Sequence, residues 1–546
     1  MKRLLALVTI FGCASHETPA REEAPAPAVV PSPTQVDSSR PSAPVVRGPQ
    51  AWARVGGGLG YDEAVAVAVA RDGAVWAVGS MDQPGRFADD VAGVDVPVMR
   101  HPNGSVFNGV VVKYSPAGEV LRAVPVRSAD SVMLSGIAAL PDGGAVLVGG
   151  FAGALHYGEP AREVARSAGG NDGVIAWLDA DAGLRWTQVL AGTGTDMFSD
   201  VAVFADGSVA AVGDFAETAR LGRGDGATEL RATPAGGRLP ARLSSDALVA
   251  RFSPTGAVVW TRVLASDEQE HGERIAVFPD GSMIVGLSCD GERGEVFDPT
   301  STPLDCRGPW GDLVLARYDD AGTLAWLQYV RSDVKTGLGP RLWGFTGARD
   351  GGALISGLSM GDLRFGAGEP TVHLDFGGRY GGFVARFDAG GAARWAAAIG
   401  DGGDDTVTGL VEDPAGGVWM SGTVGWRKPA DRKVKHRHLI GRDTQNLWLA
   451  HMPEGGPPDA QVYLGGLADH LEGVAYTGRL PRMFSRAMVG DAQGRLLLVG
   501  SLSGTAKVQI GERWSTLVAN DDGDQERIPS DAFVLSIPAA DLPKAK

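Results

Sequence analysis

Short apolar runs alternate with tight turns along most of the chain. A typical unit is the run VAVF at residues 201–204, which leads into Asp206-Gly207 and then into a second apolar run. Gly supplies the positive φ that hairpin turns need, so Asp-Gly between two apolar runs predicts a β-hairpin. The pattern therefore predicts an all-β protein.

The same hairpin pattern recurs seven times, about 70 residues apart. Its turns begin at Asp72, Asp142, Asp206, Asp280, Asp350, Asp413 and Asp491. A second pattern follows each hairpin and reads D-x-x-V-A-R-F, then a turn with Gly, then a strand that carries Trp, as at residues 246–260. Each repeat thus supplies four strands, and four-stranded sheets repeated around an axis are the blades of a β-propeller.

We predict a seven-bladed β-propeller of four-stranded antiparallel blades over residues 51–542. The repeats are predicted at about 61–126, 127–190, 191–264, 265–330, 331–399, 400–464 and 465–542 plus 51–60. The seventh repeat lacks a fourth strand, whereas residues 51–56, AWARVG, precede the first repeat and carry the Trp of the pattern. The N-terminal strand is therefore expected to pair in the C-terminal blade, which closes the ring without an open edge.

The first 13 residues have the layout of an export signal. Lys2 and Arg3 precede the apolar run LLALVTIFG, which is too short to span a bilayer. The end of this run, IFGC at residues 10–13, resembles the bacterial lipobox, and that resemblance implies acylation of Cys13. Ala14 and Ser15 follow it, and in the lipoproteins of Gram-negative bacteria this implies delivery to the outer membrane. Cleavage as an ordinary secretory signal is the alternative.

Residues 14–50 are rich in Pro, Ala, Ser and Glu. Such a composition cannot bury a core, so we expect a disordered tether between the lipid and the folded body. The net charge is −15. Nucleic-acid binding is not expected, because phosphate contacts require clustered basic residues.

The chain has three cysteines. Cys289 and Cys306 flank an insertion rich in Asp and Gly, and we predict a disulfide between them, worth about 3 kcal/mol in the entropic account of loop closure. Two free buried thiols are the alternative.

The recurring motifs D-G-x-V, V-G, D-x-x-V-A-R-F and G-x-x-x-W resemble the SBBP family of bacterial β-propeller repeats over residues 51–540. This resemblance implies the propeller fold and frequent export, but no single activity. The G-x-x-x-W motif is also similar to the docking motif of quinoprotein-type propellers and of the lipoprotein in the outer-membrane barrel-assembly machinery.

Four features of the sequence are candidates for a functional site. The basic segment that holds Lys433, Lys435, His436, Arg437 and His438 suggests an anionic contact or a His-x-His metal site, against a solvated loop. The acidic turns at 401–405 and 520–524 suggest Ca²⁺, against ordinary surface turns. The G-x-S-x-G match at 357–361 is interpreted as the end of a strand, because no helical pattern follows it. We interpret the repeated Trp186, Trp260, Trp326 and Trp395 as packing between blades rather than as a glycan-binding series.

We expect a monomeric, non-catalytic cell-envelope lipoprotein whose propeller binds a protein, peptide or glycan, with no cofactor and no catalytic residue predicted. Long insertions between the second and third strands of each repeat are the expected binding elements. The alternatives are an enzyme of the lyase, glycosidase or quinone-dependent type with its site at the axis, and an outer-membrane assembly scaffold. An axial enzyme site needs recurring polar side chains, whereas innermost strands such as that at 201–204 predict a small, apolar axis.

Overall fold

The computed structural model describes residues 51–87, 94–100, 106–222, 226–234, 244–290, 294–297, 302–306, 311–332, 339–367, 372–376, 380–400, 406–424, 446–464, 482–510, 513–519 and 530–542. Several predicted features lie outside these residues. They are the signal with Cys13, the tether at 14–50, the basic segment at 433–438, and the acidic turns at 401–405 and 520–524.

The described residues form seven antiparallel sheets around one axis, which confirms the predicted seven-bladed propeller. The innermost strands of blades one to seven are Asp62–Val69, Ser131–Ala139, Met197–Val203, Glu270–Val277, Arg341–Gly347, Thr406–Glu412 and Arg482–Gly490. The second strands are Val75–Met81, Ala145–Ala152, Val209–Ala216, Met283–Cys289, Ala353–Met360, Val418–Val424 and Arg495–Ser503. Each innermost strand contacts the next one, and the seventh contacts the first.

The third and fourth strands follow in each blade. The third strands are Asn108–Tyr114, Asp172–Leu178, Ser245–Phe252, Asp312–Tyr318, Tyr380–Phe387, Asn446–Met452 and Asp531–Pro538. The fourth strands are Val120–Arg127, Leu184–Gly192, Val258–Ser266, Leu324–Ser332, Ala393–Ile399, Ala460–Leu464 and, in blade seven, Trp52–Gly58. Every residue of Asp172–Leu178 is buried, because neighbouring blades cover both faces of each sheet.

The N-terminal strand closes the ring, as predicted. Trp52–Gly58 pairs antiparallel with Asp531–Pro538, with Trp52 opposite Ser536 and Gly56 opposite Ala532. The Trp52 side chain is fully buried. Blade seven is therefore built from both ends of the described propeller, and the N-terminal strand covers the edge of its third strand.

Five blades have six strands rather than the predicted four. The insertions of repeats one to five form short hairpins, and each hairpin pairs with the fourth strand of the preceding blade. These hairpins are Gly85–Phe87 with Val94–Val96, Ala154–Tyr157 with Arg162–Arg166, Thr218–Leu221 with Thr228–Arg231, Gly294–Phe297 with Thr302–Leu304, and Leu363–Phe365 with Val372–Leu374.

A sixth hairpin, Thr505–Ile510 with Arg513–Val518, forms a separate sheet. A 3₁₀ turn, Ala539–Asp541, follows the last strand. Because the five paired hairpins continue the sheets and cover the outer edges of the fourth strands, these insertions are parts of the scaffold rather than free binding loops.

The two ends of the ring differ. At one end, which we call the turn face, lie the Asp-Gly turns and the turns between third and fourth strands. At the other end, the insertion face, the insertions leave each blade and the chain crosses from one blade to the next.

On the turn face the repeated Trp residues join neighbouring blades, as predicted. The indole N–H groups of Trp186, Trp260 and Trp326 donate to the Pro254, Asp320 and Ala389 carbonyls in the next blade, over 3.1, 3.1 and 3.0 Å. Trp52 donates in the same way to Pro116 over 3.0 Å, across the closure of the ring.

A glycine lies under each of these indoles. Gly391, for example, has φ +87°, and an ideal Cβ on it would lie 2.9 Å from the Trp326 ring. Only a glycine accommodates both that backbone conformation and the close approach of the ring. The Gly and Trp positions of the repeat are therefore explained by the packing of one blade on the next.

The basic residue of the D-x-x-V-A-R-F motif reinforces the same contact. Arg251 donates to the Asp320 carbonyl over 2.6 Å, and Lys113 at the equivalent position of blade one donates to the Ala180 carbonyl over 2.8 Å. The Arg251 guanidinium also lies 4.3 Å from the centre of the Phe204 ring, within cation–π range.

Cys289 and Cys306 form the predicted disulfide, with their Cα atoms 6.1 Å apart. Cys289 ends the second strand of blade four. Cys306 follows the strand Thr302–Leu304, whose hairpin pairs with the fourth strand of blade three. The disulfide thus ties a hairpin docked on one blade to the interior of the next.

The G-x-S-x-G match lies in the second strand of blade five, Ala353–Met360. Ser359 is buried in that strand rather than raised on a strand-to-helix turn. This agrees with the interpretation of the motif as a strand end.

Candidate binding site at the propeller axis

Every innermost strand carries a one-residue β-bulge at the same position. The seven bulged residues are Val65, Ser135, Ser199, Glu273, Trp343, Thr408 and Arg486. The residue before each of them is buried, whereas the bulged residue itself is partly exposed. We call these seven residues the axial ring, because the strands that carry them enclose the axis.

The expectation of a small, apolar axis is wrong at the axial ring. It holds for Val201 and Val203, which lie further along their strand, but the ring itself contains a carboxylate, an arginine, three hydroxyl groups and an indole. A bulge turns an extra side chain away from the regular alternation. The apolar half of each strand therefore coexists with polar side chains close to the insertion face.

Blades three and four meet at a charged contact beside the ring. The Asp200 carboxylate accepts hydrogen bonds from the N–H groups of Val201 over 2.9 Å and Ile275 over 3.1 Å. Burial raises the Asp200 pKa, and the charge of Arg274 counteracts part of that rise. Arg274 itself donates to the Trp343 carbonyl of blade five over 3.1 Å.

His271 lies two residues before the bulged Glu273. Its Nδ1 is 3.4 Å from an Asp214 carboxylate oxygen in blade three. Burial lowers the His271 pKa, but the hydrogen bond and charge of Asp214 outweigh it and raise the pKa to about 9. The imidazole is therefore protonated at neutral pH and acts as a hydrogen-bond donor and cation.

Two further carboxyl groups and one arginine complete this side of the axis. Burial raises the pKa of Glu273 and of Asp290, and His271 and Arg341 counteract part of each rise. Arg341 opens the innermost strand of blade five. We call Asp200, Asp214, His271, Glu273, Arg274, Asp290 and Arg341 the axial cluster. Acidic and basic groups are interleaved in it.

A smaller charged group lies across the closure of the ring. The Arg486 Nε donates to a Glu63 carboxylate oxygen over 2.5 Å, and both charges act on Tyr61. Burial is the main cause of the raised Tyr61 pKa. This group joins blade seven to blade one and leaves about half of the Arg486 side chain exposed.

The sequence did contain a signal for the axial cluster. When the repeats are aligned on their Asp-Gly turns, repeat four reads EHGERIAVFPDG where repeat one reads DEAVAVAVARDG. Repeat four has charged residues, Glu273 and Arg274, where repeat one has Val65 and Ala66. The common repeat pattern does not explain these charges, so they indicate a role specific to this blade.

Among the described residues, no group of three or more His, Cys, Asp or Glu side chains is placed to hold a metal ion. The described part of the chain also has no helix long and apolar enough to cross a membrane.

Comparison with solved structures finds similar chains at low identity. A protein of unknown function from Dyadobacter fermentans is 13% identical with a TM-score of 0.36, covering 91% of this chain and 100% of its own. A glucose dehydrogenase is 12% identical with a TM-score of 0.31, covering 74% and 96%. A gluconolactonase from Xanthomonas campestris is 14% identical with a TM-score of 0.24, covering 70% and 95%.

No family model matches the chain, and no curated protein matches it. Likenesses this distant carry no argument about activity.

Proposed function

We propose that this chain is an exported, lipid-anchored cell-envelope protein whose propeller is a non-catalytic binding module, and that its ligand binds at the axial ring from the insertion face. The repeated residues of the blades are used in contacts between blades on the turn face. The axial ring, by contrast, holds side chains of different chemistry at equivalent positions. That contrast carries the proposal, because a sevenfold scaffold does not need charged groups on one side of its axis.

The side chains around the ring favour a peptide segment among the expected ligand classes. Blades four and five offer His271, Arg274 and Arg341 as donors and Glu273 as an acceptor. Met133, which holds the position of His271 and Arg341 in the innermost strand of blade two, is 43% exposed. A peptide brings charges of both signs and apolar side chains to such a surface.

The protonated state of His271 suits a hydrogen bond to a bound ligand better than it suits general-base catalysis. A general base works best with a pKa near the operating pH, whereas Asp214 holds His271 protonated at neutral pH. An enzyme at the axis and an outer-membrane assembly scaffold are the competing hypotheses.

Binding is tested with the full chain carrying Cys13→Ser, which removes the proposed acyl acceptor. This protein is screened on peptide and glycan arrays, and the best probe is titrated against Arg341→Gln. We expect Arg341→Gln to weaken binding about tenfold or more, since charge-assisted hydrogen bonds are among the strong ones. The matched control is Arg162→Gln on the outer hairpin of blade one, which should bind as the parent does.

Unchanged affinity in Arg341→Gln would contradict the proposal that the ligand binds at the axial ring. Turnover of an array compound that Arg341→Gln abolishes would support the enzyme hypothesis, and co-purification of outer-membrane barrels would support the scaffold hypothesis. The lipid anchor is tested separately: labelled palmitate should enter the unmodified chain and not Cys13→Ser.

A further inference from the structure

Two buried carboxylates lie near the place where blade two meets blade three, and the charge of one acts on the other. Asp172 opens the third strand of blade two, and Asp196 directly precedes the innermost strand of blade three. Neither side chain is exposed to solvent. The segment GTGTD at residues 192–196 carries the chain from one blade to the next.

Each carboxylate is fixed through one of its oxygens. The Ala168 N–H donates to Asp172 Oδ2 over 2.6 Å, and the Ala216 N–H donates to Asp196 Oδ1 over 3.0 Å. The Gly192 N–H also acts on the Asp172 carboxylate. The second oxygens, Asp172 Oδ1 and Asp196 Oδ2, are buried without a hydrogen-bond partner. A buried carboxylate oxygen without a donor is costly unless something positive lies beside it.

The charged groups that act on Asp196 in the described part of the chain are all acidic. They are Asp172, Asp214 and Glu217, and together with burial they raise the Asp196 pKa to about 7. Of these, Asp214 has His271 as a partner. The Asp172–Asp196 pair therefore lacks a compensating positive charge among the groups that act on it.

Blade one shows what the same position looks like when it is satisfied. Asn108 takes the place of Asp172 there, and its Oδ1 accepts the Met99 N–H over 3.2 Å, as Asp172 Oδ2 accepts that of Ala168. The Asn108 amide then donates to the carbonyls of Met99 and Val106, over 3.0 and 3.1 Å. Where Asn108 has an NH₂ group, Asp172 has a bare oxygen. A positive group between blades two and three would take over the role of that amide.

We propose that the joint between blades two and three binds a calcium ion through Asp172 and Asp196. The available donors are oxygens, which Ca²⁺ prefers, and two carboxylates can supply up to four of its six to eight ligands. The Thr218 carbonyl lies close by, since an ideal Cβ on Gly192 would overlap both Thr218 O and Asp196 Oδ2. Carbonyl groups and water complete the coordination. A third acidic ligand is not required.

Similar acid pairs occur at two other joints, Asp246 with Glu270 and Asp62 with Asp531. At the first of these, Ser266 donates its N–H and its hydroxyl to the Glu270 carboxylate, which leaves it no free oxygen. Buried carboxylate oxygens without a hydrogen-bond partner also occur on Asp246, Asp267 and Asp290. Positive charges from Arg341 and His271 act on Asp290. Among the described residues, the joint between blades two and three combines two such oxygens with the charge of Asp172 acting on Asp196, and with no positive group acting on either acid. The calcium site is therefore assigned to that joint.

The test uses the full chain carrying Cys13→Ser, dialysed against EDTA and then titrated with CaCl₂. Extracellular calcium modules bind with a Kd of about 10⁻⁴–10⁻³ M. We therefore expect the Tm to rise by a few degrees and to saturate at millimolar CaCl₂. Equilibrium dialysis with ⁴⁵Ca should show a bound calcium ion over the same range of CaCl₂ concentration.

Asp172→Asn is the decisive variant, because Asn108 shows that an amide satisfies this position. It should fold with a Tm in EDTA at least equal to that of the parent, bind one ion fewer, and lose the rise with CaCl₂. Asp181→Asn is the control, since Asp181 is an exposed acid in the same blade; it should keep the full rise. A parent Tm unmoved by CaCl₂, or an equal rise in Asp172→Asn, overturns the proposal. A Tm that changes with pH but not with CaCl₂ also overturns the proposal, because a proton shared by Asp172 and Asp196 would then take the place of the ion.

Discussion

At the scale of single residues, the indole hydrogen bonds explain why Trp recurs. Trp326 donates to the Ala389 carbonyl of the next blade, whereas the equivalent Trp395 of blade five has a buried Nε1 without a hydrogen-bond partner. Comparing the two residues therefore distinguishes the effect of indole packing from the effect of the indole hydrogen bond. Both indoles fill the same position in the repeat, and one of them lacks the polar contact.

We predict that Trp326→Phe lowers the free energy of unfolding by about 0.5–1.5 kcal/mol more than Trp395→Phe does. Each change removes a similar ring volume, but only Trp326→Phe breaks a hydrogen bond, and Trp395→Phe removes an unsatisfied buried donor. Denaturant unfolding of both variants measures the difference. Equal losses would mean that ring packing alone explains the repeated Trp.

The same scale shows what sequence reasoning could reach. The Trp, the Asp-Gly turns and the basic residue of the D-x-x-V-A-R-F motif recur at fixed distances, so their shared structural role was predictable. His271 and Arg341 differ from the other copies at their position in the repeat, so repetition did not point to them and only their departure from the common pattern could have done so. The buried pair Asp172 and Asp196 could not be predicted either, because the hydrogen bonds that leave one oxygen bare depend on how the chain folds around Ala168 and Ala216.

At the scale of elements, the disulfide acts on a hairpin that bridges two blades. The hairpin that contains Thr302–Leu304 pairs with blade three, and Cys306 joins it to the second strand of blade four. Its strands are only three and four residues long, so few ladder hydrogen bonds hold them. The disulfide is the covalent part of that contact.

We predict that Cys289→Ala with Cys306→Ala lowers the free energy of unfolding by about 3 kcal/mol, the entropic value for a loop of this length. Guanidinium unfolding of the oxidised chain and of the double variant measures the loss. Dithiothreitol should bring the unmodified chain towards the midpoint of the double variant and leave that variant unchanged. A double variant with the parent midpoint would show that the hairpin is held by its strand pairing alone.

The paired hairpins are the elements of secondary structure that the sequence did not predict. The four strands of each blade were readable, because apolar alternation lies on both sides of recognisable turns. The hairpins were not, since their strands are short and their partner strand belongs to the preceding repeat. An insertion gives no sequence sign of which neighbouring edge it will pair with.

At the scale of the whole molecule, the ring closes at a joint that contains titrating groups. Asp62 lies beside Asp531 where the N-terminal strand completes blade seven, and burial raises the Asp62 pKa to about 8. Burial likewise raises the pKa of Glu270 to about 8 and of Asp246 to about 6. These joints recur around the propeller, so their titration affects the cohesion of the ring.

We predict that, in EDTA, the free energy of unfolding falls as the pH rises from 6 to 9. The buried acids hold protons in the folded state that the unfolded chain releases near pH 4, so each raised pKa costs stability as the pH rises towards it. His271 acts in the same direction. Its raised pKa contributes stability that is fully present below about 6.5 and is lost as the pH rises through about 9.

Asp62→Asn isolates the contribution of the closing joint. It removes one raised pKa and should flatten the fall between pH 6 and 9, so that the variant is more stable than the parent at pH 9 when both are followed by thermal unfolding. Asp206→Asn is the matched control. Hydrogen bonds from Ser208 lower the Asp206 pKa, so its stabilisation is present above about pH 4 and lost in acid. This control should change how stability depends on pH in acid and leave the dependence between pH 6 and 9 unchanged. An alkaline limb of equal slope in the parent and in Asp62→Asn would place the titration at other joints, and ring closure would then not depend on the protonation of Asp62.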